Sequence, residues 1–126
     1  MSASRSSFTG MLDDIDALSE QGQDRDALSE LKKAEKYVYD SWSRIGIYRR
    51  YFEMGETALA EKTLVRGLKR NPKNPEMSAV YAQFLMRSGR GAEAVKAAEC
   101  LRGTRFGSVY SEAYLRELAF ERGANA

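Results

Sequence analysis

Apolar side chains recur three and four residues apart in blocks along this chain, and glycines close the blocks at even intervals. Met11, Ile15 and Leu18 form one block, and Ile47, Tyr48, Tyr51 and Phe52 a second. Val80, Tyr81, Phe84 and Leu85 form a third, and Tyr110, Tyr114, Leu118 and Ala119 a fourth. Such spacing gathers the apolar groups on one face of a helix. Each block precedes a glycine: Gly22, Gly55, Gly89 and Gly123, separated by 33, 34 and 34 residues. After each of the first three comes another amphipathic segment, around Ala27–Val38, Leu59–Leu68 and Ala92–Leu101. The pattern predicts helix, short turn, helix, three times over, and then a last helix.

The repeat extends beyond glycine. Ala27, Ala60 and Ala94 each lie five residues after one of these glycines. Leu31, Leu64 and Ala98 lie nine after, and Ala34, Gly67 and Leu101 twelve after. A glycine can turn the chain at positive φ without steric cost, so Gly55 is expected to end one helix. Ala60 then falls where two antiparallel helices cross, and a larger side chain would force them apart. The stretch "NPKNP", Asn71 to Pro75, stops the second helix of that pair and starts the next, because proline cannot continue a helix but suits its first turn.

These residues resemble the tetratricopeptide repeat, a helix–turn–helix unit of about 34 residues. With the middle repeat starting at Ser41, Gly55, Ala60, Leu64, Gly67 and Pro72 fall on the family pattern. With the third starting at Pro75, Ala82, Leu85, Gly89 and Ala94 do so; with the first starting at Phe8, Leu18, Gly22, Ala27, Leu31 and Ala34 do so. The resemblance implies an all-α fold, a right-handed superhelix of antiparallel helix hairpins. It divides the chain into a flexible leader over 1–7 and one domain over 8–123. The repeats fall at about 8–40, 41–74 and 75–108, with a closing helix at 109–122. Three features depart from the pattern. Tyr48 stands where the family prefers a small residue, and "WSRIG", Trp42 to Gly46, mimics a family opening two residues out of phase with Gly55. The third repeat ends in "RGTRFGS", Arg102 to Ser108, without a proline.

In the resembled family the first helices of successive hairpins line a concave groove that holds an extended or helical peptide. Carried across residue by residue, that lining is Thr9, Leu12, Asp16, Ser19 and Glu20 in the first repeat, and Trp42, Ile45, Arg49, Phe52 and Glu53 in the second. It is Glu76, Ala79, Gln83, Met86 and Arg87 in the third, with Tyr110, Ala113 and Glu117 in the closing helix. Trp42, Ile45, Arg49, Phe52, Gln83, Met86, Arg87 and Tyr110 are the candidate partner contacts. Aromatics with Arg49 and Arg87 suit an apolar or aromatic peptide bearing an acidic group. Aromatic stripes at helical spacing also build cores, and Tyr48, Tyr51 and Tyr81 are read as core. The carboxylate clamp known in this family needs lysine and asparagine. Leu12 and Asp16 hold those places in the first repeat, and Arg49 replaces asparagine in the second. A looser likeness is to the half-a-tetratricopeptide repeats of RNA-processing scaffolds, through Trp42, Tyr48 and Phe52-Glu53 at different spacing.

Composition narrows the chemistry. There is no histidine and one cysteine, Cys100, so no Cys–His nucleophile, thiolate cluster or internal disulfide can form. Asp13, Asp14 and Asp16 lack the spacing of a calcium loop, and "GRG" at Gly89–Gly91 lacks the lysine and hydroxyl of a phosphate loop. No catalytic residue, cofactor or metal is expected. No apolar run approaches the ~20 residues of a membrane span. "MSASRSSFTG" has no secretory core, which points to the cytoplasm.

Net charge is +2, unevenly spread: residues 1–40 hold nine acids and five bases, residues 41–126 nine acids and fifteen bases. Lys62, Arg66, Lys69 and Lys73 follow a helical stripe, but the net charge is too small for a dedicated nucleic-acid binder. The sequence thus predicts a non-catalytic module that binds a protein or peptide. The alternatives are an RNA-associated scaffold that uses the basic stripe on its convex face, and a homodimer docked through Tyr114, Leu118 and Phe120.

Overall fold

The computed structural model describes residues 5–99 and residue 101. Over them the chain runs through α1 (Arg5–Glu20), α2 (Asp24–Ala34), a 3₁₀ turn (Glu35–Tyr37), α3 (Ser41–Glu53), α4 (Thr57–Arg70), α5 (Pro75–Arg87) and α6 (Gly91–Glu99). The described residues form an all-helical fold. Helix α1 begins at Arg5, so residues 5–7, read from sequence as leader, are helical. Phe8 is buried on this first turn and meets Tyr39 edge-on, with ring centroids 5.7 Å apart. Tyr110, Tyr114, Leu118, Phe120, Gly123 and the expected closing helix lie outside the described residues.

Three turns share one geometry. Gly22, Gly55 and Gly89 have φ of 76°, 80° and 74°. At each, the glycine N–H donates to a carbonyl three residues back, and the next N–H donates to a carbonyl five residues back. The second set, Gln23 to Leu18, Glu56 to Tyr51 and Arg90 to Leu85, measures 2.9 Å throughout. This pair of bonds caps the last carbonyls of a helix and needs a left-handed residue between them. The phase of the glycines in the sequence is therefore a phase of identical helix stops.

The following helix restarts identically as well. The N–H groups of Ala27, Ala60 and Ala94 donate to Gln23, Glu56 and Arg90 at 2.9, 2.9 and 3.0 Å. All three alanines are 0% exposed, as are Leu31, Leu64 and Ala98, each four residues further on. These small and branched groups are the buried stripe of each second helix.

The starts of the first helices are capped by their own side chains. Asp40 accepts from the Ser43 N–H at 2.8 Å, while the Ser43 hydroxyl oxygen accepts from the Asp40 N–H at 3.0 Å, a reciprocal capping box on α3. Asn74 accepts from the Met77 N–H at 2.8 Å, and Pro75 occupies the first position of α5. The segment "NPKNP" thus ends α4 at Arg70 and opens α5.

The contacts divide the chain into two compact units, Met1–Val65 and Arg66–Ala126. In the first, α1 packs on α2, and α2 contacts α3. Helix α3 buries Ser43, Arg44, Ile45, Ile47, Tyr48 and Tyr51, a broad face, and leaves Trp42, Arg49 and Glu53 exposed on the other. Gly46 allows the approach of α1: a methyl there would lie 3.4 Å from Leu12 Cδ1. Tyr48, where a small residue would suit the resembled pattern, is buried at 6% exposure, and the close approach to α1 is at Gly46 instead. In the second unit α5 packs on α6, where Ala82 and Ala98 meet with Met86 and Ala97 against them.

A polar link runs through the first unit. Arg44, 7% exposed, donates to the Thr63 carbonyl at 3.2 Å and to its hydroxyl at 3.1 Å. Its guanidinium also lies 3.9 Å from the Glu35 carboxylate, which accepts from the Tyr51 hydroxyl at 2.8 Å. Truncating Arg44 takes a cation from beside Glu35 in a mostly buried site and removes two hydrogen bonds to Thr63, which is costlier than the pair itself is stabilising. Arg44→Ala should lose about 2–4 kcal/mol in urea unfolding. Ala60→Leu, which overfills a fully buried site, should lose about 1–3 kcal/mol with its helix content retained by circular dichroism.

Candidate functional site

The end of α1, the start of α2 and the end of α3 enclose a cavity of about 600 Å³ in the first unit. It is lined by Asp16, Ser19, Glu20, Asp24, Arg49, Arg50, Glu53 and Met54. The helical repeat explains the grouping. Ser19 and Glu20 lie one turn after Asp16, and Glu53 and Met54 one turn after Arg49 and Arg50. Each pair therefore faces the same side of its helix.

One ion pair ties the wall together. Arg50 Nε donates to Asp16 Oδ1 at 2.9 Å and Nη2 to Oδ2 at 2.8 Å, a two-pronged bond from α3 to α1. Its third nitrogen donates to the Gly46 carbonyl at 3.0 Å, which holds the fork in place. Asp16 and Arg50 are 34 residues apart. Residues separated by about one repeat period are neighbours on adjacent hairpins. The opposite charges at that separation were the available signal, and Arg50 was not among the residues singled out from sequence. Asp24 and Met54 were likewise missed, since they stand at a helix start and a helix end rather than on a periodic face.

The candidate partner contacts are placed diversely. Trp42 is 66% exposed, an unusual position for the chain's single tryptophan. Arg49 is exposed on the cavity wall, and Phe52 is half-buried with its ring 5.9 Å from that of Tyr48. Ile45 is 3% exposed and belongs to the core of the first unit. On α5, Gln83 and Arg87 are exposed and Met86 is half-buried. Tyr110 lies outside the described residues. Tyr48 and Tyr51 are buried, whereas Tyr81 is half-buried and stacks on Phe84 with centroids 6.4 Å apart.

Lys62, Arg66 and Lys69 are exposed on α4. Helix α4 ends at Arg70, so Lys73 stands in the turn beyond it rather than on the same helix face. Pro72 and Pro75 flank that lysine and exclude continued helix.

A second, smaller cavity of about 310 Å³ in the first unit has Met11, Ile15 and Ala34 among its lining, with Tyr37 on its wall. Among the described residues no group of three or more acidic, cysteine or histidine side chains is arranged to hold a metal ion. None of the described helices is long and apolar enough to cross a membrane. Cys100 lies outside the described residues.

The cavity's Asp16–Arg50 pair is partly exposed, at 45% and 21% of the two side chains. Water screens such a pair strongly. Arg50→Gln should therefore shift unfolding stability by no more than about 1 kcal/mol, and the shift should shrink in about 1 M NaCl.

No protein-family model matches the chain, and no curated protein matches it by sequence. Among solved structures it is similar to the type III secretion translocator chaperone SycD of Yersinia enterocolitica. The TM-score is 0.62 at 21% sequence identity, over 92% of this chain and 90% of that one. The likeness is one of fold.

Proposed function

We propose that the chain is a non-catalytic protein-binding module of tetratricopeptide-repeat type, which holds a partner segment against the exposed ends of α1 and α3. The observation that carries this reading is the composition of the larger cavity. Five of its lining residues, Asp16, Ser19, Glu20, Arg49 and Glu53, are positions that the family resemblance assigns to the peptide groove. They come from first helices one repeat apart. The helix stops at Gly22 and Gly55, which share one geometry, supply the repeat on which that assignment depends.

The fold neighbour supports the same class of function, since it is a translocator chaperone. The reading also assigns Trp42 and Phe52 of α3, and separately Gln83, Met86 and Arg87 of α5, to partner contact. Trp42 combines a large apolar area with high exposure, a pairing that costs solubility unless the ring is covered at some stage of the protein's work. A single repeat domain over 8–123, working in the cytoplasm, completes the proposal.

The lone tryptophan makes the proposal measurable. Dodecapeptides selected from a random phage-displayed library on the full chain should bind saturably and shift Trp42 emission to the blue. Trp42→Ala should weaken that binding about tenfold and leave the thermal midpoint nearly unchanged, since the side chain is exposed. Failure to select any saturable binder, or binders indifferent to this substitution, would sink the reading.

A further inference from the structure

We infer that the larger cavity takes a basic side chain, lysine or arginine, from the partner segment; this rests on the protein-binding function proposed above. The wall holds four carboxylates, Asp16, Glu20, Asp24 and Glu53, against two guanidiniums, Arg49 and Arg50. Arg50 is engaged on Asp16 through both prongs of its fork and on the Gly46 carbonyl. That pairing removes one charge of each sign from what a ligand meets. Glu20, Asp24 and Glu53 then stand three to one against Arg49, and all four are exposed at the cavity. Among the described residues none of these four side chains takes part in an ion pair. The charge a ligand meets is thus negative, the reverse of the sign suggested by Arg49 and Arg87 in the sequence.

The places of two of these acids are an independent indication. Glu20 is the last residue of α1, and Glu53 is the last residue of α3. A helix C-terminus carries partial negative charge and favours cations. Folding stability alone would put lysine or arginine at both positions. Two carboxylates stand there instead, 33 residues apart and at the same point of the repeat. The carbonyl ends of both helices add to the field that these carboxylates create. Anions gathered against the preference of their own helices, around a cavity large enough for a side chain, are complementary to a cation that arrives with the partner.

The random dodecapeptide library tests this when it is selected in parallel on the full chain and on a Glu20→Lys/Glu53→Lys variant. Peptides captured by the parent should be enriched several-fold in lysine and arginine. Their affinity should fall about tenfold between about 0.05 and 0.5 M NaCl, because exposed charges are screened. The variant should favour aspartate and glutamate instead, with a thermal midpoint equal to or above the parent's, since lysines suit helix C-termini. A Glu20→Gln/Glu53→Gln variant should lose the basic enrichment without reversing it, and it serves if the charge reversal perturbs folding. Peptides that bind and perturb Ser19 and Arg49 amide resonances without basic enrichment overturn this inference and leave the binding function standing. Unchanged selection on both variants does the same. A parent that selects no peptide overturns the binding function and this inference together.

Discussion

The left-handed glycine at each helix stop is the constraint on which the rest depends. At Gly22, Gly55 and Gly89 the backbone adopts φ near 75–80°, and two hydrogen bonds close the last turn of the helix. The next helix must then start within a few residues and return alongside the first. That return brings Ala27, Ala60 and Ala94 to full burial at equal distances from their turns. A residue with a Cβ at the stop meets no steric neighbour at any of the three glycines. What excludes it is the backbone conformation itself. The requirement is local, and its consequence is the pairing of helices.

The first unit adds a polar framework to this apolar scheme. Arg44 is held by Thr63 and faces Glu35, and Glu35 also accepts from Tyr51, so α3 is tied both to α4 and to the 3₁₀ turn after α2. No buried side-chain polar atom among the described residues lacks a hydrogen-bond partner. The framework is therefore satisfied rather than strained, and a buried guanidinium is tolerated for that reason. At the cavity the opposite condition holds. Only Asp16 and Arg50 satisfy each other there, and Glu20, Asp24 and Glu53 meet solvent. The contrast between a closed polar network inside and unmatched carboxylates at the rim separates what holds the fold from what the cavity presents to solvent.

A fold likeness at 21% identity to a translocator chaperone agrees with helix pairs built from turn chemistry rather than from particular core residues. Small residues at crossings and glycines at stops can be kept while most other positions change. The cavity wall is under no such restraint, because its side chains are largely exposed and contribute little to burial. Charge there can vary without loss of the fold, and so the fold alone does not fix the charge of the cavity.

The helical class, the helix stops and the buried alanine row were legible in the sequence, because each follows from local rules: period of apolar residues, glycine at positive φ, proline at a helix start. The capping of α3 by Asp40 and Ser43 is of the same local kind. Other features required the tertiary structure. Ile45 and Trp42 occupy neighbouring turns of α3, yet one is buried and the other two-thirds exposed, because the environment of each face depends on which helices pack against it. Gly46 makes the close approach to α1 for the same reason: contact between α1 and α3 depends on how the helices are rotated, which the repeat phase leaves open. The sign of the cavity was decided at that level too. Arg49 and Arg50 are adjacent in sequence, but the packing of α3 on α1 turns Arg50 onto Asp16 and leaves Arg49 among carboxylates. The sequence by itself determined where helices start, stop and reverse, since those choices are made by neighbouring residues. Which charges cancel and which remain open to solvent was decided only when residues a full repeat apart came within hydrogen-bonding distance.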